Sequence, residues 1–361
     1  MDKKTVHDLL SKVFTAKGSS NIAFSKYWGK KDEDLILPFN SSISMTLDNK
    51  DVYTITSVLF SEVIKSDVFV LNGELQNLED KDTKERFKIV DIMRKMAKTN
   101  KKALIVSKNS FPTAAGLASS ASGVSTLVYA CNIALGLKLS TKEMSIIARQ
   151  GSGSSCRSIV GGIAKWNKGG SKKDGSDSYV EQIIDENYWP ELMDIIAIVD
   201  PGKKKVSSRA GMKQTVETSP LYKIRPKYVE ESITPQLVHA IKSRDFDTIG
   251  KLIMKESNDL HAVMLDTYPP IFYLNDISRE IIYAIHELNQ RKGKIIGAYT
   301  FDAGPNAHII TLQENKSKII NMLKHIDGVK DIMSVKIGSG PVLLNTQKSL
   351  ITKNNILKFL K

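Results

Sequence analysis

The chain has 361 residues, 41% of them apolar and 25% charged, enough for two domains with a sizeable core. No apolar run reaches membrane-spanning length, and Lys3-Lys4 is not followed by a long apolar core, so neither a membrane span nor a secretory leader is expected. The net charge of +13 comes from lysines interspersed with acids, as in Asp80-Lys81-Asp82-Thr83-Lys84-Glu85, which predicts a solvated face and attraction of an anionic small molecule rather than a nucleic-acid surface.

In chain order, Val6, Leu9, Leu10 and Val13 recur at helical spacing, a short amphipathic start expected to pack on the surface. Residues 14–24 read as a strand interrupted by Gly18-Ser19-Ser20, and 35–47 as a strand after a proline turn. Residues 51–60 and 67–71 read as further strands, with Asn72-Gly73 as a hairpin turn. Apolar spacing predicts an amphipathic helix over 82–98 and another over 141–149, the latter N-capped by Ser140. Strands are expected at 161–166 and 195–200, with the domain change just before the second. Residues 225–295 read as mostly helical, in a pattern that argues packing rather than chemistry. Strands at 295–301, 308–312 and 332–337 and a helix at 316–324 follow, and the basic tail after Asn345 is expected to be peripheral. Cys131 and Cys156 offer no disulfide framework, which points to reducing cytoplasm, and the six histidines show no metal-ligand spacing.

Four stretches carry chemistry. Phe111-Pro112-Thr113-Ala114-Ala115-Gly116-Leu117-Ala118-Ser119-Ser120-Ala121-Ser122-Gly123 lies between a strand at 103–107 and an apolar helix at 124–131. A strand–loop–helix rich in small residues aims unpaired N–H groups and a helix dipole at a ligand, which suits a phosphate; tight packing is the plainer alternative. Lys26-Tyr27-Trp28-Gly29-Lys30 sets two cations around two aromatics, either a core turn or a cationic wall. Gly151-Ser152-Gly153-Ser154-Ser155-Cys156-Arg157-Ser158 combines hydroxyls, glycines and an arginine able to grip an oxyanion bidentately. Asp302 ends an apolar strand, where an unpaired carboxylate is costly; a hydrogen-bonding turn would satisfy it, and a nearby Lys26 would keep it ionised.

The 112–120 loop resembles the phosphate loop of the GHMP kinase superfamily. More narrowly it resembles that of the diphosphomevalonate decarboxylase family, which includes archaeal phosphomevalonate and mevalonate 3,5-bisphosphate decarboxylases. Asn21-Ile22-Ala23 with Lys26 to Lys30, the 151–158 stretch, and Thr300-Phe301-Asp302-Ala303-Gly304-Pro305-Asn306 match the same family in the same order, over nearly the whole chain. The resemblance implies an α+β, two-domain GHMP-kinase-like architecture: a ribosomal-S5-like domain over 1–190, a ferredoxin-like domain over 191–361, and a site in the cleft between them. It implies Asp302, Lys26 and Arg157 as catalytic residues. Asn21, Tyr27, Lys30, Ser152, Gly153, Ser154, Ser208, Arg209 and Met212 would meet the substrate, and Asn109, Pro112, Ala115, Gly116, Leu117, Ser119 and Ser120 the nucleotide.

The implied reaction eliminates CO2 and a 3-phosphate from a 5-phosphorylated mevalonate to give an isopentenyl phosphate or diphosphate. ATP and Mg2+ are its cofactors, the metal held through phosphates and water. A cytoplasmic homodimer is expected, with no nucleic-acid or membrane partner. The leading expectation is the ATP-dependent decarboxylase of the 5-diphosphate. Alternatives are an ATP-independent 3,5-bisphosphate decarboxylase, to which Lys108 before Asn109 draws attention, a phosphomevalonate decarboxylase, and a basic RNA-binding protein.

Overall fold

The structure is a computed structural model that describes residues 3–110, 119–199 and 205–359. Among them, most strands fall into three sheets. The first runs Val342–Leu344, Phe14–Ser19, Tyr53–Ser61, Lys102–Asn109, Val68–Leu71 and Glu74–Leu75 in spatial order. Its long central strands pair antiparallel from Thr54 opposite Asn109 to Ser61 opposite Lys102. Their side chains alternate, so both faces are apolar. Val58, Phe60, Ala103 and Ile105 face the Lys81–Met96, Ser119–Ala134 and Thr141–Gly151 helices.

Leu59, Leu104 and Val106 face the other way, where both ends of the chain cover them. Val6 and Leu9 of the Lys3–Ser11 helix are each 3% exposed, and Ile356 of the Lys353–Phe359 helix is 0% exposed. This corrects the expectation of a surface-packed start and a peripheral tail. A sheet that is apolar on both faces needs a second cover, and the termini supply it.

The second sheet runs Val180–Ile184, Ile163–Trp166, Ser42–Thr46 and Asn21–Ser25. Residues 14–24, expected as one interrupted strand, divide at Ser20 between the first sheet and this one. The third sheet runs Gly297–Thr300, Ala307–Leu312, Leu192–Ile198 and Asp331–Lys336. One core joins the second and third sheets: Ile22, Phe24 and Ile43 pack in a cluster with Ile195, Ile253 and Ile309. The Phe246–Leu265 helix lies against both the Asn21–Ser25 and the Gly297–Thr300 strands, and so holds together two segments from opposite ends of the chain.

Local signals hold where the backbone demands them. Asn72 and Gly73 turn the hairpin with φ of 52° and 90°. Ser140 caps its helix in a reciprocal capping box with Glu143. Among the described residues, no helix is long and apolar enough to cross a membrane.

Candidate active site

The site is built where two buried strands end. Asn21–Ser25 is buried at every position, and the chain leaves it at Lys26. Trp28 anchors the departing segment. It is 3% exposed, meets Tyr273 edge-on with ring centroids 6.2 Å apart, and accepts the Tyr222 hydroxyl proton at its carbonyl. At Gly29 the chain turns with φ +83°, and a Cβ there would lie 2.2 Å from the Tyr222 hydroxyl, so only glycine fits. Lys30, its side chain largely covered, forms an ion pair with the exposed Glu33 at 2.6 Å.

The Gly297–Thr300 strand delivers the partner. Phe301 is fully buried, and Asp302 follows in a turn whose carbonyl accepts the Gly304 N–H at 2.8 Å. Lys26 Nζ donates to Asp302 Oδ1 at 2.8 Å. The lysine side chain is 2% exposed and the aspartate 37%, so the pair presents its carboxylate outward and keeps its cation sealed. Burial opposes ionisation of Asp302, but the charge and hydrogen bond of Lys26, with His308 and Arg157, hold the carboxyl below the usual range. Burial likewise lowers the Lys26 ammonium, against the pull of Asp302 and Glu256.

Arg157 sits on the short 3-10 helix Gly153–Ile159, 3% exposed, rather than on an open loop. Its Nε and Nη2 donate to Asn21 Oδ1 at 3.3 and 3.2 Å, and its Nη1 to Ser42 Oγ at 2.7 Å. Asn21 in turn donates to the Ser154 carbonyl and Ser158 Oγ, at 3.1 and 2.7 Å. Arg157 is near enough for its charge to act on both Lys26 and Asp302. A Cβ at Gly153 would meet the Tyr27 ring at 2.7 Å, so the turn can approach Tyr27 only as glycine. The Tyr27 hydroxyl is buried and has no hydrogen-bond partner among the described residues.

Of the nucleotide set, Pro112, Ala115, Gly116 and Leu117 lie outside the described residues. The flanks are described. Asn109 ends its strand, accepting from Thr54 Oγ1 at 2.8 Å, and Ser119 opens the Ser119–Ala134 helix. Ser152 Oγ donates to Ser120 Oγ at 3.3 Å, joining the helix start to the 151–158 stretch. A strand leading in and a sixteen-residue helix leading out fit an anion at the helix start.

Ser208 and Arg209 open the Ser208–Thr218 helix, capped by Ser207, and Met212 packs against the Trp28 cluster. Arg209 reaches across to the Lys81–Met96 helix, where its guanidinium is paired bidentately with Glu85. Cys131 and Cys156 are buried free thiols, each pushed up to about 12 by burial. Among the described residues no group of three or more His, Cys, Asp or Glu side chains could hold a metal.

Sequence reasoning missed the polar groups behind the pair. Glu256 is 1% exposed, accepts the Lys26 backbone N–H at 3.2 Å and pairs with Arg225, which also meets Asp259 at 2.8 Å. Burial, opposed by Arg225, pushes the Glu256 carboxyl up to about 7. His261, on the same helix, is held neutral: burial and the Lys26 charge push it down to about 3. A signal for Glu256 existed. It falls within the buried stripe of Ile249, Leu252, Ile253, Leu260 and Val263, where a charge has no place without a partner.

Comparison with known proteins places this arrangement. Residues 18–180 match the model of the diphosphomevalonate decarboxylase-like N-terminal domain, and residues 194–356 that of the mevalonate 5-diphosphate decarboxylase C-terminal domain. A diphosphomevalonate decarboxylase of Debaryomyces hansenii is 46% identical over 86% of this chain and 83% of its own length. The chain belongs to the diphosphomevalonate decarboxylase family.

A Danio rerio diphosphomevalonate decarboxylase is 43% identical over 90% of this chain and 82% of its own. The mevalonate diphosphate decarboxylase of Staphylococcus aureus superposes with a TM-score of 0.85 at 38% identity, over 93% of this chain and all of that one. A structure of MDDEF in complex with MVAPP, AMPPCP and magnesium superposes at 0.83 with 41% identity, over 92% and 99%. The α+β, two-domain GHMP-kinase-like fold implied by the four motifs is that of these structures.

Proposed function

We propose that this chain is an ATP-dependent carboxy-lyase that converts mevalonate 5-diphosphate and ATP to isopentenyl diphosphate, CO2, ADP and phosphate. The observation that carries the proposal is the Lys26–Asp302 pair, a carboxylate kept ionised at the mouth of a buried cation. Asp302 is suited to take the proton of the substrate's 3-hydroxyl as that oxygen is phosphorylated. ATP, arriving with Mg2+, would supply the phosphoryl group. When the 3-phosphate departs, positive character grows at C3, and the electron pair of the breaking bond to CO2 becomes the alkene. Lys26 and Arg157 supply fixed positive charge beside the developing anions, already oriented by Asp302, Asn21 and Ser42. The Tyr27 hydroxyl, buried without a hydrogen-bond partner among the described residues, and Lys30 are the candidates for the 5-diphosphate. Arg209 would join them on exchanging Glu85 for a phosphate.

The test is a matched assay of mevalonate 5-diphosphate, 5-phosphate and 3,5-bisphosphate, each with and without Mg·ATP. Turnover of the 5-diphosphate only with ATP, with ADP and CO2 formed in equal amounts, is the expected result. Release of CO2 and phosphate from the bisphosphate alone, with the other two inert, would overturn ATP dependence and leave the Asp302 assignment standing. The homodimer expected of the family belongs to the same proposal, and a molar mass from light scattering tests it.

A further inference from the structure

Lys26 and Asp302 arrive on chains 276 positions apart, and the strands that carry them are not neighbours in one sheet. Direct stitching between them is weak: Thr300 Oγ1 reaches the Ala23 carbonyl at 3.5 Å, the far limit of a hydrogen bond. Two adjacent residues of the Phe246–Leu265 helix do better. Glu256 Oε1 accepts the N–H of Lys26 itself, at 3.2 Å. Ser257 Oγ accepts the N–H of Phe301, the residue before Asp302, at 3.0 Å.

Successive residues on a helix point about 100° apart. One turn can therefore serve two strands that flank it. Both residues are 1% exposed, and Arg225, itself buried, donates to the same Glu256 oxygen, Oε1, that accepts the Lys26 N–H. A buried ion pair of this kind is poor evidence of stabilisation, since apolar residues of like volume commonly do as well. Positioning gives it a purpose.

We propose that Glu256 and Ser257 are positioning residues: together they clamp the backbone at Lys26 and at Phe301 and set the register of the Lys26–Asp302 pair. The inference rests on the reading of that pair as catalytic. A slack clamp leaves substrate contacts elsewhere intact but misplaces the carboxylate, and misplacement by about 1 Å can cost about 10²-fold in rate.

The experiment compares Ser257→Ala, Ser257→Thr, Glu256→Ala and Glu256→Gln with Asp302→Asn, using mevalonate 5-diphosphate and Mg·ATP well below each variant's melting temperature. Ser257→Ala and Glu256→Ala should lower kcat by about 10–10²-fold with KM for both substrates little changed. Ser257→Thr and Glu256→Gln, which keep an acceptor oxygen, should recover most of it. Slack at Phe301 draws the Asp302 carboxylate off Lys26 and so releases its carboxyl upward, and the acid limb of kcat/KM should move to higher pH in Ser257→Ala. Loss of stability alone would not shift it.

Wild-type kcat in folded Ser257→Ala and Glu256→Ala, while Asp302→Asn is inactive, overturns the clamp alone. Full turnover by Asp302→Asn overturns the reading of the pair and the clamp with it. If neither alanine variant folds, the contacts are structural cross-links and the proposal falls.

Discussion

In the proposed mechanism Asp302 works by staying charged. Its carboxyl is held below the ordinary range, so the stabilisation it draws from Lys26 is complete above that range and is lost only as pH falls through the lowered value. Asp302→Asn should lower kcat by roughly 10²–10⁴-fold with the fold intact by circular dichroism. Because the carboxylate does not titrate near neutrality, the deficit should stay constant between about pH 5 and 8; a deficit that closes within that window would contradict the assignment. Glu256 behaves in the opposite sense. Its folded value is raised from 4.5 to about 7, among Arg225, Asp259 and Lys26. The protonated carboxyl thus favours the folded state fully below 4.5, and that contribution disappears as pH rises to about 7. Urea midpoints measured across this window should fall in the wild type and flatten in Glu256→Gln; parallel curves would show that Glu256 stays charged throughout.

Between elements, the contact most open to change joins the Ser208–Thr218 and Lys81–Met96 helices. Arg209 and Glu85 are 35% and 29% exposed at their side chains, a partly solvated pair worth about 0–1 kcal/mol. If Arg209 turns to the substrate's phosphates, Glu85 competes with them. Glu85→Gln should then lower KM for mevalonate 5-diphosphate by up to about fivefold with little change in melting temperature. An unchanged or higher KM would mean that Arg209 serves the helix pair and not the ligand. The turn after Lys26 is far less forgiving. Gly29→Ala combines positive φ with a Cβ pressed on Tyr222, and should displace the Lys26 segment as well as lower stability.

For the molecule as a whole, the covering of the first sheet by both termini matters for stability and not for chemistry. Ile356→Ala empties a fully buried position and should cost about 2–5 kcal/mol while leaving kcat unchanged. Leu9 shares that cluster, so Leu9→Ala combined with Ile356→Ala should cost less than the sum of the two. Additive losses in chemical denaturation would show that the two helices cover the sheet independently. A single core linking the second and third sheets packs the two family-matched segments into one body, with the Phe246–Leu265 helix against a strand of each.

Residue order alone carried the helices and strands whose apolar spacing is regular, the Asn72-Gly73 turn, the Ser140 cap and the four motifs that mark the family. These are local: a period, a φ preference or a capping hydroxyl acts within a few residues. It also drew attention to Lys26, Asp302 and Arg157, charged residues on a strand end or in a tight turn, while their catalytic assignment came from the family resemblance. What lay beyond it depends on which distant segment arrives. Helical spacing marked 225–295 as packing, and only the approach of the Lys26 and Phe301 backbones gives Glu256 and Ser257 their partners. Arg209 could be read as a ligand for phosphate, yet its neighbour Glu85 lies 124 positions away. The amphipathic start and the basic tail read as surface and peripheral segments because nothing in their own residues reveals that the sheet they meet is apolar on both faces. A buried polar or apolar group is satisfied by whatever the fold brings within reach, and that is decided by long-range packing rather than by neighbours in the chain.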